Sequence, residues 1–114
     1  MLIADDSEDS ANSLGMLLRM EGHEVVIVHD GVQALLAFAT QQPEFALLDI
    51  GMPGLSGYEV AEQIRRKSPA RRVTLIAVTG WDEEGDRARA QAAGFDHHFT
   101  KPVEPDRLME LLQE

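Results

Sequence analysis

Phe45-Ala46-Leu47-Leu48-Asp49-Ile50-Gly51-Met52-Pro53-Gly54 is an apolar run that stops on an acid and then breaks up. Consecutive apolar residues without polar alternation read as a strand buried on both faces. Gly51, Pro53, Gly54 and Gly57 make the following segment a loop. The same punctuation recurs on either side. Leu2-Ile3-Ala4 ends on Asp5-Asp6, and the β-branched run Val25 to Val28 ends on His29-Asp30. Val73 to Val78 ends on Thr79-Gly80, and a weaker strand, Asp96 to Thr100, precedes Lys101-Pro102.

Between these runs the apolar spacing changes to that of helices. Ser7 to Met20 carries Ala11, Leu14, Leu17 and Leu18 on one face, with Ser7 or Asp9 as a cap and Gly22 at the end. Gly31 to Gln42 turns Ala34, Leu35 and Phe38 inward and stops at Pro43. Tyr58 to Lys67 does the same with Val60, Ala61 and Ile64. Asp82 to Ala93 is a polar, Ala-rich helix closed by Gly94, and Pro105 suits the first position of a last helix running toward Gln113. Strand and helix alternate throughout. That order predicts an α/β fold, a parallel sheet covered on both faces with right-handed crossovers.

The chain has 114 residues, enough for one domain over 1–114. Twenty acidic residues against 10 Lys plus Arg leave a formal charge of -10, which argues against direct nucleic-acid binding and against contact with anionic membranes. The absence of cysteine excludes disulfides, thiol catalysis and Cys-based zinc sites, and is compatible with a cytoplasmic setting. No apolar run approaches the roughly 18 residues of a membrane span. Acidic residues from Asp5 onward do not fit a signal peptide. The first strand begins almost at Met1, an abrupt start that points to a domain taken from a longer protein.

In an open α/β sheet, ligands bind beyond the carboxyl ends of the strands. The residues there are Asp5, Asp6, Asp49, Thr79 and Lys101, with His29-Asp30 peripheral. Carboxylates gathered at one edge repel one another and stay ionised only around a cation. Oxygen ligands without cysteine favour Mg²⁺ over zinc, and Mg²⁺ readily shares its shell with a phosphate. Lys101 adds a second positive charge and Thr79 a hydroxyl. Such a set suits phosphoryl transfer, which depends on positioning and charge neutralisation.

These residues, with Leu47-Leu48-Asp49-Ile50-Gly51-Met52-Pro53-Gly54-Leu55-Ser56-Gly57, Val78-Thr79-Gly80 and Thr100-Lys101-Pro102, resemble the receiver domain of two-component response regulators over essentially the whole chain. The resemblance implies a flavodoxin-like, doubly wound three-layer sandwich: a five-stranded parallel sheet in order 2-1-3-4-5 with five helices. It implies Asp49 as phosphoacceptor, a carboxylate nucleophile that forms an acyl phosphate. It implies Asp6 as a direct Mg²⁺ ligand with Asp5 beside it, and the Gly51 backbone carbonyl as a further ligand. Lys101 would contact the phosphoryl group ahead of a cis Pro102, and Thr79 would swing toward a phosphoryl oxygen. The implied donor is a phosphohistidine on a sensor histidine kinase or a histidine phosphotransfer protein. The domain itself would be a monomer or a phosphorylation-dependent dimer. The run from Ala93 to Val103 resembles receivers fused to hybrid sensor kinases.

One residue departs from the pattern. His98 stands where the family commonly has Tyr or Phe, a ring that moves together with the threonine. A planar histidine can take that switch role. His97 and His98 do not make a metal pair, because neighbours in a strand point to opposite faces. Trp81, after Thr79-Gly80, is either a binding surface or a cover for the loop. Arg65-Arg66-Lys67 and Arg71-Arg72 read as a solvated helix end. The output face would be the fourth helix, fifth strand and fifth helix.

Two other functions compete. One is a receiver-like scaffold that acts by contacts alone, which loss of Asp49 or Lys101 would favour; both are present. The other is a Mg²⁺-dependent phosphatase with an aspartyl nucleophile. That pattern needs a second Asp two residues on, where this chain has Gly51.

Overall fold

A short apolar run can bury both faces only at the centre of a layered structure, and the strands do so here. A computed structural model describes residues 1–67, 72–80 and 84–113, with the side chains of 84–86 left aside. The strands are β1 (Leu2–Ala4), β2 (Val26–Val28), β3 (Phe45–Asp49), β4 (Thr74–Thr79) and β5 (His97–Thr100). The helices are α1 (Glu8–Met20), α2 (Gly31–Gln41), α3 (Gly57–Lys67), α4 (Glu84–Ala93) and α5 (Pro105–Leu112). All strand pairs are parallel, as the alternation of strand and helix predicts, and the sheet order is β2-β1-β3-β4-β5, as the family resemblance implies.

Alternation along each strand sorts side chains to two faces. Leu2, Ala4, Ala46, Leu48, Leu75 and Ala77 pack under α2, α3 and α4, against Ala34, Val60, Ile64 and Ala90. Ile3, Leu47, Ile76 and Val78 face the other way, against Ala11 and Leu18 of α1 and Leu108 and Leu112 of α5. The register is continuous, with Ala4 opposite Leu48, Asp49 opposite Val78 and Thr79 opposite Thr100. This register sets which strand-end residues share a face.

Local chemistry explains the boundaries. Ser7, not Asp9, caps α1, its side chain accepting from the Ser10 amide at 3.4 Å. Asp30 caps α2 by accepting from the Gln33 amide at 2.8 Å. The end of α2 comes before Pro43: Gln42 takes a left-handed conformation, φ 48°. In α1 the buried stripe is Ala11, Gly15 and Leu18, while Leu14 lies at its edge and Leu17 is 40% exposed. The sequence reading put Leu17 inside; the 3.6-residue period carries it past the rim of the stripe. The strands begin one residue later than read at Val26, Thr74 and His97. Trp81, the expected start of α4 at Asp82, and Arg71 lie outside the described residues.

Arg65 is not part of a solvated helix end. Its guanidinium donates to Gly94 O through Nε and Nη2 at 3.0 and 2.8 Å, and to Val73 O through Nη1 at 3.0 Å. Nη2 also meets Asp96 Oδ2 at 2.8 Å, and that same oxygen accepts from the Leu75 amide at 2.9 Å. The planar fork ties the end of α3 to the starts of β4 and β5, which a point charge could not do. Gly94, at φ 106°, leaves the room: a Cβ there would stand 2.7 Å from Arg65 Cγ. Arg66, Lys67 and Arg72 are exposed, as expected.

Candidate functional site

The parity of the strands explains which residues meet. Asp5 continues the face of Ile3, Asp49 that of Leu47, and Lys101 that of Phe99, all on the side of α1 and α5. At the carboxyl edge these three converge. Lys101 Nζ donates to Asp49 Oδ2 at 2.9 Å and lies 3.5 Å from Asp5 Oδ1. Asp5 and Asp49 are buried, while Asp6, one residue further out on the turn, is exposed. One carboxylate oxygen from each of Asp5, Asp6 and Asp49 lies within 4.8 Å of the others, close enough for one ion to touch all three. An all-oxygen acidic set of this kind fits a hard divalent cation.

Backbone donors complete the site. The Gly51 amide donates to Asp49 Oδ1 at 3.1 Å, and the Ser7 amide donates to Asp5 Oδ1 at 2.9 Å. The Asp5 amide in turn donates to Val28 O at 3.1 Å, extending β1 past its last ladder residue. The Lys101–Pro102 peptide is cis, as the family resemblance implies. The Lys101 amide donates to Thr79 O at 2.7 Å, which holds the β5 end beside the β4 end.

Electrostatics separate the two buried acids. Burial raises the Asp5 carboxyl above its ordinary value, and neighbouring Asp49 adds to this, while the Ser7 amide and Lys101 only partly offset it. Burial also works against Asp49. The Lys101 ammonium, the hydrogen bond from Asp5 and the Gly51 amide outweigh it, so Asp49 sits below the usual carboxylate value. Burial pushes the Lys101 ammonium down, but Asp49 and then Asp5 more than reverse this and hold it above its ordinary value. Of the two acids, Asp49 is the one whose charged form the surroundings favour, with the Lys101 ammonium set directly against it.

Thr79 belongs to the other face. It follows the parity of Ala77, and the register sets Ala77 opposite His98. Its hydroxyl Oγ1 lies 3.2 Å from His98 Nε2. The structure thus brings Asp5, Asp6, Asp49 and Lys101 together, and pairs Thr79 with His98 across the strand. Gly51 enters through its amide rather than through a described carbonyl contact. His29, which the sequence placed at the periphery, meets the site: Nδ1 lies 3.0 Å from Asp5 O. The only signal for it was its place at the end of the strand beside β1.

Comparison with known proteins follows the same lines. The family model described as response regulator receiver domain matches residues 1–113. The sensory transduction protein RegX3 of Mycolicibacterium smegmatis is 38% identical over 109 residues, covering 96% of this chain and 46% of RegX3. The chain thus spans about half the length of the RegX3 relatives it matches. Protein PilH of Pseudomonas aeruginosa is 30% identical over 112 residues, covering 98% of this chain and 93% of PilH. Among solved structures, a CheY-like response regulator receiver domain protein from Methanospirillum hungatei JF-1 superposes with a TM-score of 0.89. It is 30% identical and covers 98% of this chain and 88% of its own.

Proposed function

This chain belongs to the response regulator receiver domain family of two-component signalling, and from that premise we propose that Asp49 is its phosphoacceptor. The single observation that carries the assignment is the 2.9 Å contact between Lys101 Nζ and Asp49 Oδ2 beside the three clustered carboxylates. An Asp49 oxygen attacks the phosphorus of a phosphohistidine. The P–N bond breaks with its electron pair going to the imidazole nitrogen, and an acyl phosphate forms on Asp49. Lys101 passes its hydrogen bond from Asp49 Oδ2 to a phosphoryl oxygen, so charge that builds there is met at once. The Thr79 hydroxyl becomes a further donor to that group. The same residues assist the domain's own phosphorylation and later loss of the phosphoryl group.

Asp5, Asp6 and Asp49, with the Gly51 carbonyl, would hold Mg²⁺, and the bound ion would supply the charge neutralisation phosphoryl transfer requires. Access is from the α1 and α5 side, where a groove of about 390 Å³ opens over Asp5, Asp49 and Lys101 and is walled by Leu14, Leu17 and Pro105. Half-exposed Leu17 gives that rim an apolar contact for the donor, a sensor histidine kinase or a phosphotransfer protein. We read residues 1–114 as one receiver unit working in the cytoplasm as a monomer or a phosphorylation-dependent dimer. No helix among the described residues is long and apolar enough to cross a membrane. A scaffold acting by contacts alone has no use for an ammonium held between two buried carboxylates.

Incubation with radiolabelled phosphoramidate, wild type beside Asp49→Asn, tests the assignment. Wild type should take up alkali-labile label only with Mg²⁺ present, and the variant none. Full incorporation by Asp49→Asn would overturn it.

A further inference from the structure

His98 is half-buried on β5, and the β4–β5 register sets it beside Thr79 on the face covered by α4. The acceptor group lies on the opposite face of the sheet edge. Thr79 therefore has His98 on one side of the strand end and the acceptor on the other. Its backbone is tied to the end of β5, where Thr79 O accepts from the Lys101 amide at 2.7 Å. What remains is rotation about χ1, and for a β-branched side chain that means a jump between discrete rotamers.

We propose that His98 latches Thr79 in its resting rotamer through the Oγ1–Nε2 hydrogen bond, so that this imidazole sets the energy needed to switch the domain. A phenyl ring in the same place could fill space but could not share a hydrogen bond with the hydroxyl. Breaking one hydrogen bond that water does not fully replace lowers the affinity for a ligand that selects the switched state by a modest factor. The ligand that draws Thr79 toward Asp49 must overcome it, which makes the latch a threshold on the response. His98 touches neither the phosphoryl group nor the metal ligands; it acts through Thr79 as a positioning residue. The proposal rests on Asp49 being the acceptor.

Two measurements separate the latch from that premise. The first is the set of His98 imidazole nitrogen shifts by NMR, without phosphoryl analogue, in wild type and Thr79→Val. Loss of a shifted Nε2 signal in the variant is expected; identical shifts would overturn the latch whatever Asp49 does. The second is calorimetry with Mg²⁺ and then beryllofluoride. His98→Phe should bind beryllofluoride about threefold to tenfold more tightly, with Mg²⁺ affinity unchanged. His98→Gln, whose amide reaches the Nε2 position, should return the affinity toward wild type. In a Thr79→Val background His98→Phe should change nothing. No gain in His98→Phe, or the same gain without the threonine hydroxyl, would overturn the latch. Failure of wild type to bind beryllofluoride would overturn the acceptor reading instead, with the NMR comparison still deciding the hydrogen bond.

Discussion

Lys101 Nζ donates to Asp49 Oδ2 at 2.9 Å, joining two residues 52 positions apart in the chain. The same ammonium lies 3.5 Å from Asp5 Oδ1, so a single cation serves two buried carboxylates. Breaking a fully buried pair costs roughly 3–5 kcal/mol, and an exposed one at most about 1. Lys101 is one-third exposed, which puts the pair between these limits. Lys101→Ala should destabilise the domain by about 1–2 kcal/mol in urea unfolding. Its larger effect should be on beryllofluoride binding, because the contact it makes to the phosphoryl group has no substitute. Equal beryllofluoride affinity in the variant would refute that role.

Asp5 should be a liability in metal-free protein. Its carboxyl is raised from the ordinary 3.8 by burial and by Asp49. Between 3.8 and the raised value the folded state holds more protons than the unfolded chain, so Asp5 removes stability as pH climbs through that window. Asp49 has the opposite sign. Its lowered carboxyl contributes stability above 3.8 that is lost as pH falls through the depressed value. Asp5→Asn keeps an oxygen for the Ser7 amide and removes the like charge. Thermal unfolding without divalent cation should show a higher midpoint for the variant at neutral pH and no gain at low pH. Mg²⁺ should then raise the midpoint of wild type but not that of Asp5→Asn. A lower midpoint for the variant at neutral pH would contradict this.

Gly57 is the first residue of α3, where alanine would ordinarily favour the helix by about 1 kcal/mol. Here a Cβ would stand 2.7 Å from Asp49 O and 3.0 Å from Ile50 Cα, backbone atoms that cannot turn aside. Overpacking of this kind costs about 1–3 kcal/mol, so it should win. Gly57→Ala should lower stability and, because it pushes on the acceptor strand itself, weaken Mg²⁺ binding. A variant as stable as wild type with unchanged Mg²⁺ affinity would show that the α3 start has slack.

Arg65→Ala should cost about 2–3 kcal/mol, mostly through the carbonyls of Gly94 and Val73 that lose charged donors. The pair with Asp96 counts for less, since that carboxylate is 45% exposed. Arg65→Lys should recover only part of the loss, because an ammonium cannot span both carbonyls. The clamp stands at the sheet edge opposite the acidic cluster, so Mg²⁺ affinity should stay at wild type in both variants. Chemical unfolding and calorimetry on the three proteins check this.

Much of the molecule is readable along the chain. Runs such as Phe45 to Leu48 and Val73 to Val78 announce buried strands because only a strand covered on both faces can dispense with polar alternation. The strand-end positions of Asp5, Asp6, Asp49, Thr79 and Lys101 follow from the same punctuation. Leu17 falls outside the buried stripe because helical spacing gives a stripe but not the width of the surface that meets it. Arg65 escapes a reading by sequence because the three neighbouring cations Arg65, Arg66 and Lys67 at a helix end look alike until one of them finds carbonyls from elsewhere in the chain.

The identity and order of the elements, and the edge where the chemistry gathers, come from local patterns: apolar period, capping groups and breakers act over a few residues and leave their mark in sequence. The pairing of Thr79 with His98, the hold of His29 on the Asp5 carbonyl and the division of Asp5, Asp49 and Lys101 from Thr79 come from register between strands. A one-residue slip would send each of those side chains to the opposite face. Register is settled by how both faces pack at once, a sum over contacts distant in the chain that no local stretch records.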